Sequence, residues 1–259
     1  HRRIQRTKAQ SMHCCIRISK LSKMLLLASS LLTATPGCSA WSSWKPTQGN
    51  RSQKLAREKS PGLFDTKPNK QQAQIDLAVV AAEQHEAKQE YREAMMKYQE
   101  VLNVDKKSSL AHHRLALIAC RLSASKQAQE HFETALRLAP KDTDLIADYA
   151  YWNYLSKQYT QATELVDSGL KTTPESERFH GIKGLLLARE RRFEPAVECF
   201  VKSGCTTQQA WANIGHVLLL EGDVQAASYW IEHAAQGEQG SQVAKKTQGV
   251  LQASFNAAK

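Results

Sequence analysis

WANIGHVLLLEGDVQAA occupies residues 211–227. Its first half spaces Trp211, Ile214, Gly215 and Leu218 as W-x2-I-G-x2-L, and its second half begins at a Gly222-Asp223 turn and reaches a small residue, Ala227. Apolar residues at helical spacing on both sides of a turn signal read as a helical hairpin. Such a hairpin belongs either to an ordinary globular fold or to a repeating array. The first case calls for an active site, the second for a binding surface.

The rest of the chain decides between them. Residues 109–142 carry Ala128, Phe132, Ala135-Leu136 and Pro140 at spacings of four, three and four. Thirty-four residues later the same slots hold Ala162, Val166, Gly169-Leu170 and Pro174, and thirty-four earlier Ala94, Tyr98 and Val101-Leu102. A further step gives Ala196, Phe200 and Ser203-Gly204. Tyr91, Ser125, Tyr159 and Phe193 stand three residues before each Ala. The quoted stretch arrives 31 residues after its predecessor, so the second helix of the preceding pair is expected to end early, near Ser203-Gly204. Ala150, Gly184 and Gly215 share one small slot in the first helices. Small residues there and at Ala196 or Ala227 let paired helices approach closely, and the large residues fill the space between successive hairpins. No hairpin buries its apolar face alone, so neighbours must stack.

This pattern resembles the tetratricopeptide repeat, a 34-residue helical hairpin with W-x2-L-G-x2-Y in its first helix and Ala, an aromatic and Pro in its second. The resemblance covers about 185 residues and is weakest in the first unit, where Ala82 and His85 stand in the Gly and Tyr slots. It implies an all-α, right-handed superhelical solenoid of about five hairpins over residues 73–259. The units fall at about 75–108, 109–142, 143–176, 177–207 and 208–241, and a capping helix follows at 242–258.

The chain has 259 residues and a formal charge of +10. Residues 1–74 hold 14 Lys/Arg against 2 Asp/Glu, and residues 75–259 hold 21 against 23. The repeat region is therefore close to neutral and lacks the basic surface that nucleic acid requires. Basicity belongs to the N-terminal segment. There, Arg17, Lys20 and Lys23 precede an apolar run from Met24 to about Ala34, then Pro36-Gly37 and Cys38. The run is too short to span a bilayer, which takes about 20 residues, but it suits the core of an export signal. Residues 1–37 are read as that signal, with Met12 the better start and residues 1–11 lying upstream of it. Gly37-Cys38 resembles a bacterial lipoprotein site, in which Cys38 is acylated, although Thr35 and Pro36 depart from the usual pattern. Ser39 after it resembles lipoproteins sent to the outer membrane. The alternatives are cleavage after Ala40, giving a soluble periplasmic protein, and an uncleaved anchor. Residues 38–72, rich in Ser, Gln, Lys and Pro, cannot bury enough apolar surface to offset ordering and read as a flexible tether.

No phosphate-binding G-x4-G-K-[ST], H-E-x-x-H or G-x-S-x-G is present. His112-His113 and Cys120 lack the paired short spacings of a zinc site, so they read as ordinary helix residues and no metal or cofactor is expected. Asp142-x-Asp144 falls between two units, where Asp caps helices. Beyond Cys38 only Cys120, Cys199 and Cys205 remain, read as free thiols, with a Cys199–Cys205 loop as the alternative. With the chain from about residue 73 onward spent on hairpins, a binding module is expected and an enzyme is not.

The resemblance also implies where a partner binds. In the family the groove is lined by the second, fifth, ninth and twelfth positions of each first helix. In the unit starting at Thr143 these are Asp144, Ala147, Tyr151 and Tyr154; neighbouring units add His113, Leu117, Arg178, Leu185 and His216. Ala147, Tyr151 and Tyr154 share one helical face by spacing alone, and both tyrosines are expected in half-buried sites, with Tyr149 and Trp152 in the core. The implied function is a protein–protein scaffold of the bacterial cell envelope, held by a lipid anchor on the periplasmic side of the outer membrane. It would grip a partner peptide or helix, in envelope assembly or pilus biogenesis. The alternative is an accessory subunit that positions an envelope enzyme or binds a glycan.

Overall fold

The computed structural model describes residues 70–235. The export signal, Cys38, most of the tether and the cap expected over 242–258 lie outside the described residues. Among the described residues there are ten helices and no strand: α1 (Lys70–Ala87), α2 (Tyr91–Val104), α3 (Ser109–Arg121), α4 (Ser125–Leu138), α5 (Thr143–Leu155), α6 (Tyr159–Thr172), α7 (Glu177–Arg189), α8 (Phe193–Lys202), α9 (Thr207–Leu220) and α10 (Val224–Ala235). Helix α1 begins three residues inside the expected tether. None of the ten is long and apolar enough to cross a membrane. The chain divides into two compact units at residue 182, within α7, and each is described separately.

The turn inside each hairpin is built the same way. Gln89, Ser123, Lys157 and Arg191 have φ of 62°, 58°, 62° and 60°, and Gly222 has 86°. The next residue's N–H then reaches back to a carbonyl of the first helix: Glu90 to His85 (2.9 Å), Ala124 to Ala119 (2.9 Å), Gln158 to Asn153 (2.8 Å), Arg192 to Leu187 (2.9 Å) and Asp223 to Leu218 (2.9 Å). This closure satisfies carbonyls that the helix end leaves without partners. Only Gly222 takes the left-handed conformation without a Cβ penalty.

Most first helices open on side-chain caps instead. Ser108 Oγ accepts from Ala111 N–H at the start of α3. Asp142 Oδ1 accepts from Asp144 and Leu145 N–H, both at 3.1 Å, at the start of α5. Thr206 and Gln209 form a reciprocal capping box at α9. Asp142 therefore caps a helix, as its place between hairpins implied.

The repeated slots form the core. In the unit that ends at residue 182, Ala82, Ala94, Tyr98, Ala116, Ala128, Phe132, Ala150 and Ala162 are fully buried. Phe132 stacks on Tyr149 of the next hairpin (centroids 5.0 Å apart) and lies 5.9 Å from Trp152. Gly169 belongs to the same packing, because a Cβ there would stand 2.2 Å from the buried ring of Phe179. In the unit that starts at residue 183, a Cβ on Gly184 would stand 2.8 Å from the Phe200 ring, and one on Gly215 would stand 2.6 Å from Ile231 and 3.2 Å from the Ala227 carbonyl. The closest neighbours of these glycines thus include the large residue one turn beyond the small slot, rather than the small residue alone.

Helix α8 has ten residues where α2, α4 and α6 have fourteen. Gly204 takes φ of 86°, Cys205 N–H bonds back to Phe200 O at 3.0 Å, and the Ser203 hydroxyl donates to the same carbonyl at 2.7 Å. The Ser-Gly pair replaces an apolar pair that would carry the helix on by another turn. Cys120 and Cys199 are half-buried free thiols, so the Cys199–Cys205 loop does not form. Burial pushes the Cys120 thiol up to about 12, which leaves it protonated and unreactive.

The small slots give a direct test of this packing. Ala128→Leu or Ala162→Leu is expected to cost about 1–3 kcal/mol through overpacking, read as a lowered melting temperature. Ala124→Leu, at the half-buried turn before α4, should cost far less. Equal losses at both kinds of site would contradict the packing described.

Candidate binding face

Helices α3, α5 and α7 are the first helices of three successive hairpins, and a chain of charged groups links them within residues 70–182. Its centre is Asp148 on α5, whose side chain is fully buried. His113 Nε2 on α3 lies 2.8 Å from Asp148 Oδ2. An ionised carboxylate only accepts, so that nitrogen carries the proton. Arg178 Nη2 on α7 donates to Asp148 Oδ1, and its Nη1 donates to Asp144 Oδ1 at 2.9 Å. The burial of Asp148 by itself would raise its pKa by disfavouring the charged form. The hydrogen bond from His113 and the charge of Arg178 outweigh it and hold the carboxyl below the usual range. At neutral pH Asp148 is therefore an anion that clamps two neighbouring helices onto its own.

Three of the expected groove residues, His113, Asp144 and Arg178, thus meet around a fourth that the sequence reading passed over. Asp148 lies one helical turn beyond Asp144 and 35 residues beyond His113, and it interrupts the apolar run Leu145–Trp152. A charged residue inside such a run was the available signal.

The aromatic part of the face is deeper than the spacing implied. Tyr151 is 9% exposed and Tyr154 7%, where half-buried sites were expected. Their rings stack with centroids 6.4 Å apart, and Tyr159 meets Tyr154 edge-on at 5.8 Å. Burial pushes the Tyr151 hydroxyl up to about 12. Leu117 and Ala147 are also buried, at 2% and 1%. They support the face and present almost no surface of their own. The groups that reach solvent are the Asp144 carboxylate, 58% exposed, and the Arg178 guanidinium, 29% exposed. A second charged link lies deeper in the same unit, where Tyr98 donates to Glu86 at 2.6 Å and Arg114 stands 3.9 Å from that carboxylate.

Leu185 and His216 belong to the unit that starts at residue 183. Leu185 is buried. His216 is half-buried on α9, and burial lowers its imidazole to about 4, so it is neutral at physiological pH. This unit also holds a ribbon of rings that the sequence reading did not assemble. Phe193 meets Trp230 (5.0 Å), Trp230 meets Tyr229 (5.7 Å), Tyr229 meets His233 (4.1 Å) and His233 meets Trp211 (6.2 Å). Tyr229 is 55% exposed.

The carboxylates and the guanidinium satisfy one another, and no group of three or more metal-ligating side chains occurs among the described residues. Comparison with known proteins agrees on the architecture. The tetratricopeptide repeat family model matches residues 123–186. Among solved structures, PilW aligns at 21% identity with a TM-score of 0.53, covering 70% of this chain and 94% of its own. YrrB aligns at 17% identity and 0.50, covering 66% and 90%. MamA from Desulfovibrio magneticus RS-1 aligns at 15% and 0.52, covering 64% and 96%. At such identities the likeness is one of fold. No curated protein matches the chain.

Proposed function

We propose that this tetratricopeptide-repeat protein is a protein–protein interaction scaffold of the bacterial cell envelope that takes a partner peptide or helix on the face of α3, α5 and α7. The observation that carries this reading is the Asp148-centred clamp, which ties three successive first helices together and leaves the Asp144 carboxylate and the Arg178 guanidinium open to solvent. A rigid scaffold that holds a charged pair open to solvent is suited to orienting the polar groups of a partner. The family's general role supports the reading, as does the solved structure of YrrB, described as a repeat protein with an unusual peptide-binding site.

The envelope location rests on the signal-like segment before Cys38, and acylation there would tether the repeats to the periplasmic side of the outer membrane. PilW, which shares the fold, is described as a type IV pilus biogenesis factor. A similar assembly role is the pathway we favour for this chain.

One experiment with two arms tests both parts. A photo-crosslinking residue at Asp144 is expected to capture a discrete protein partner in the native envelope, whereas one at Lys126, exposed on α4, captures little. Equal capture at both positions would sink the binding face. In the second arm, Cys38→Ala should abolish labelling by a fatty-acid analogue and release the protein into the soluble periplasmic fraction. Unchanged labelling or membrane retention would remove the lipid anchor. Asp144 is chosen over Tyr151 and Tyr154 because replacing buried rings would also disturb packing.

A further inference from the structure

We propose that one edge of the 70–182 unit, formed by the turns inside its hairpins, docks on an anionic phospholipid surface. Arg114 on α3 stands beside Glu86 on α1, and His113 on α3 beside Asp148 on α5, so these first helices lie side by side. Each turns into its second helix at its C-terminal end. The turns after α1, α3 and α5 therefore fall on the same edge.

That edge carries cations and apolar tips together. Lys88, Arg121, Lys126 and Lys157 are all exposed there, and Leu122 and Leu155, at the ends of α3 and α5, are 43% and 52% exposed. The Arg121 guanidinium stands 5.4 Å from the centre of the Tyr91 ring, which sets its charge beside an aromatic face. Glu90 and Glu93 belong to the same edge, but His85 already donates to Glu90 at 2.7 Å. Cations remain in surplus. At the opposite edge the turns between hairpins interleave the signs, with Asp105 beside Lys106 and Lys107, and Lys141 beside Asp142.

The leucines decide which acidic partner fits. A soluble polyanion would meet the cations and leave both leucines in water. A bilayer interface accepts both, with the cationic heads among phosphates and the leucine tips among the first methylenes. The long Lys and Arg stems let the two kinds of group settle at different depths. The backbone suits that environment too, because amides that enter it must keep their hydrogen bonds. The N–H groups of Leu122, Ser123 and Ala124 bond back to Ile118, Cys120 and Ala119 at 3.0, 3.1 and 2.9 Å. Those of Ser156, Lys157 and Gln158 bond back to Trp152, Tyr154 and Asn153 at 2.9, 3.1 and 2.8 Å. Neither tip loses an N–H partner when water leaves it. Asp144 and Arg178 stand in the first turns of α5 and α7, at the opposite ends of those helices, and stay open to a protein partner.

Full-length protein on vesicles tests the edge, with a photo-crosslinking residue at Leu155 in one sample and at Met96, 60% exposed on α2, in another. On equal parts of phosphatidylcholine and phosphatidylglycerol, Leu155 is expected to capture lipid at least ~10-fold more than Met96. The readout is local, so membrane binding through the apolar run that begins at Met24 does not imitate it. Lys126→Glu with Lys157→Glu should cut capture at Leu155 by at least ~10-fold, as should vesicles of phosphatidylcholine alone. Lys106→Glu with Lys141→Glu, the same change of charge on the opposite edge, should leave it within ~2-fold. Circular dichroism and melting confirm that the variants fold, and Lys88→Glu with Lys126→Glu carries the comparison should the first pair unfold. Equal lipid capture at Leu155 and Met96, or capture that ignores charge, would overturn the proposal. So would capture of protein instead of lipid at Leu155 in the native envelope, which would make this edge a protein contact.

Discussion

Arg178→Met is expected to destabilise the 70–182 unit by about 2–3 kcal/mol, because it strands a buried carboxylate rather than merely removing a surface contact. Asp148 is fully buried and keeps its charge through His113 and Arg178. Methionine replaces the length of the side chain and none of its donors. The loss falls below the usual range of about 3–5 kcal/mol because the guanidinium is 29% exposed and water can take part of its place. Two further measurements separate this mechanism from ordinary loss of packing. Adding Asp148→Asn to the Arg178→Met background should recover part of the loss, since the neutral amide no longer needs a cation. The pH dependence should also differ. A carboxyl depressed in the folded state contributes stability above its unfolded value of about 4, and loses that contribution as pH falls through the folded value. The gap between wild type and Arg178→Met should therefore narrow in acid. A gap that stays constant from pH 7 to pH 3 would assign the effect to packing.

The parts of this molecule that were legible in the sequence are those that recur. Ala94, Ala128 and Ala162 declare themselves because a substitution in any one slot can be compared with its neighbours 34 residues away. The turns are as regular in space, yet Gln89, Ser123, Lys157 and Arg191 share no chemistry that marks a left-handed residue. The tertiary closure holds each of them there, and only Gly222 carries a sequence signal. The candidate site shows the same division. Helical spacing placed Tyr151 and Tyr154 on one face but could not give their depth, which depends on what packs over the face. Asp148 was missed because the groove positions skip it, although a carboxylate amid Leu145, Ile146 and Trp152 has no water to meet and must find partners.

Phe132→Ala should give the largest loss of all, about 3–5 kcal/mol, the cost of an unfilled cavity at a fully buried aromatic. The ring is not simply interior. It belongs to α4, stacks on Tyr149 at 5.0 Å, leans on Trp152 at 5.9 Å and approaches His113 at 6.2 Å. It therefore fills the space between the second hairpin and the third. In a stacked array, stability is the sum of weak hairpins and strong interfaces between neighbours. Removing an interface residue should uncouple one hairpin from the next as well as lower the total. Hydrogen exchange can read that directly. Protection should fall along α5 as well as α4 in Phe132→Ala, while α1 and α2, one hairpin further away, should change much less. A uniform fall across residues 70–182 would show instead that the unit opens as a single cooperative block. The clamp at Asp148 bears on that outcome, because His113 and Arg178 still hold α5 to its neighbours when the aromatic stack is gone. Combining Phe132→Ala with Arg178→Met should then cost more than the two separate losses added together, since each interaction limits the damage done by losing the other.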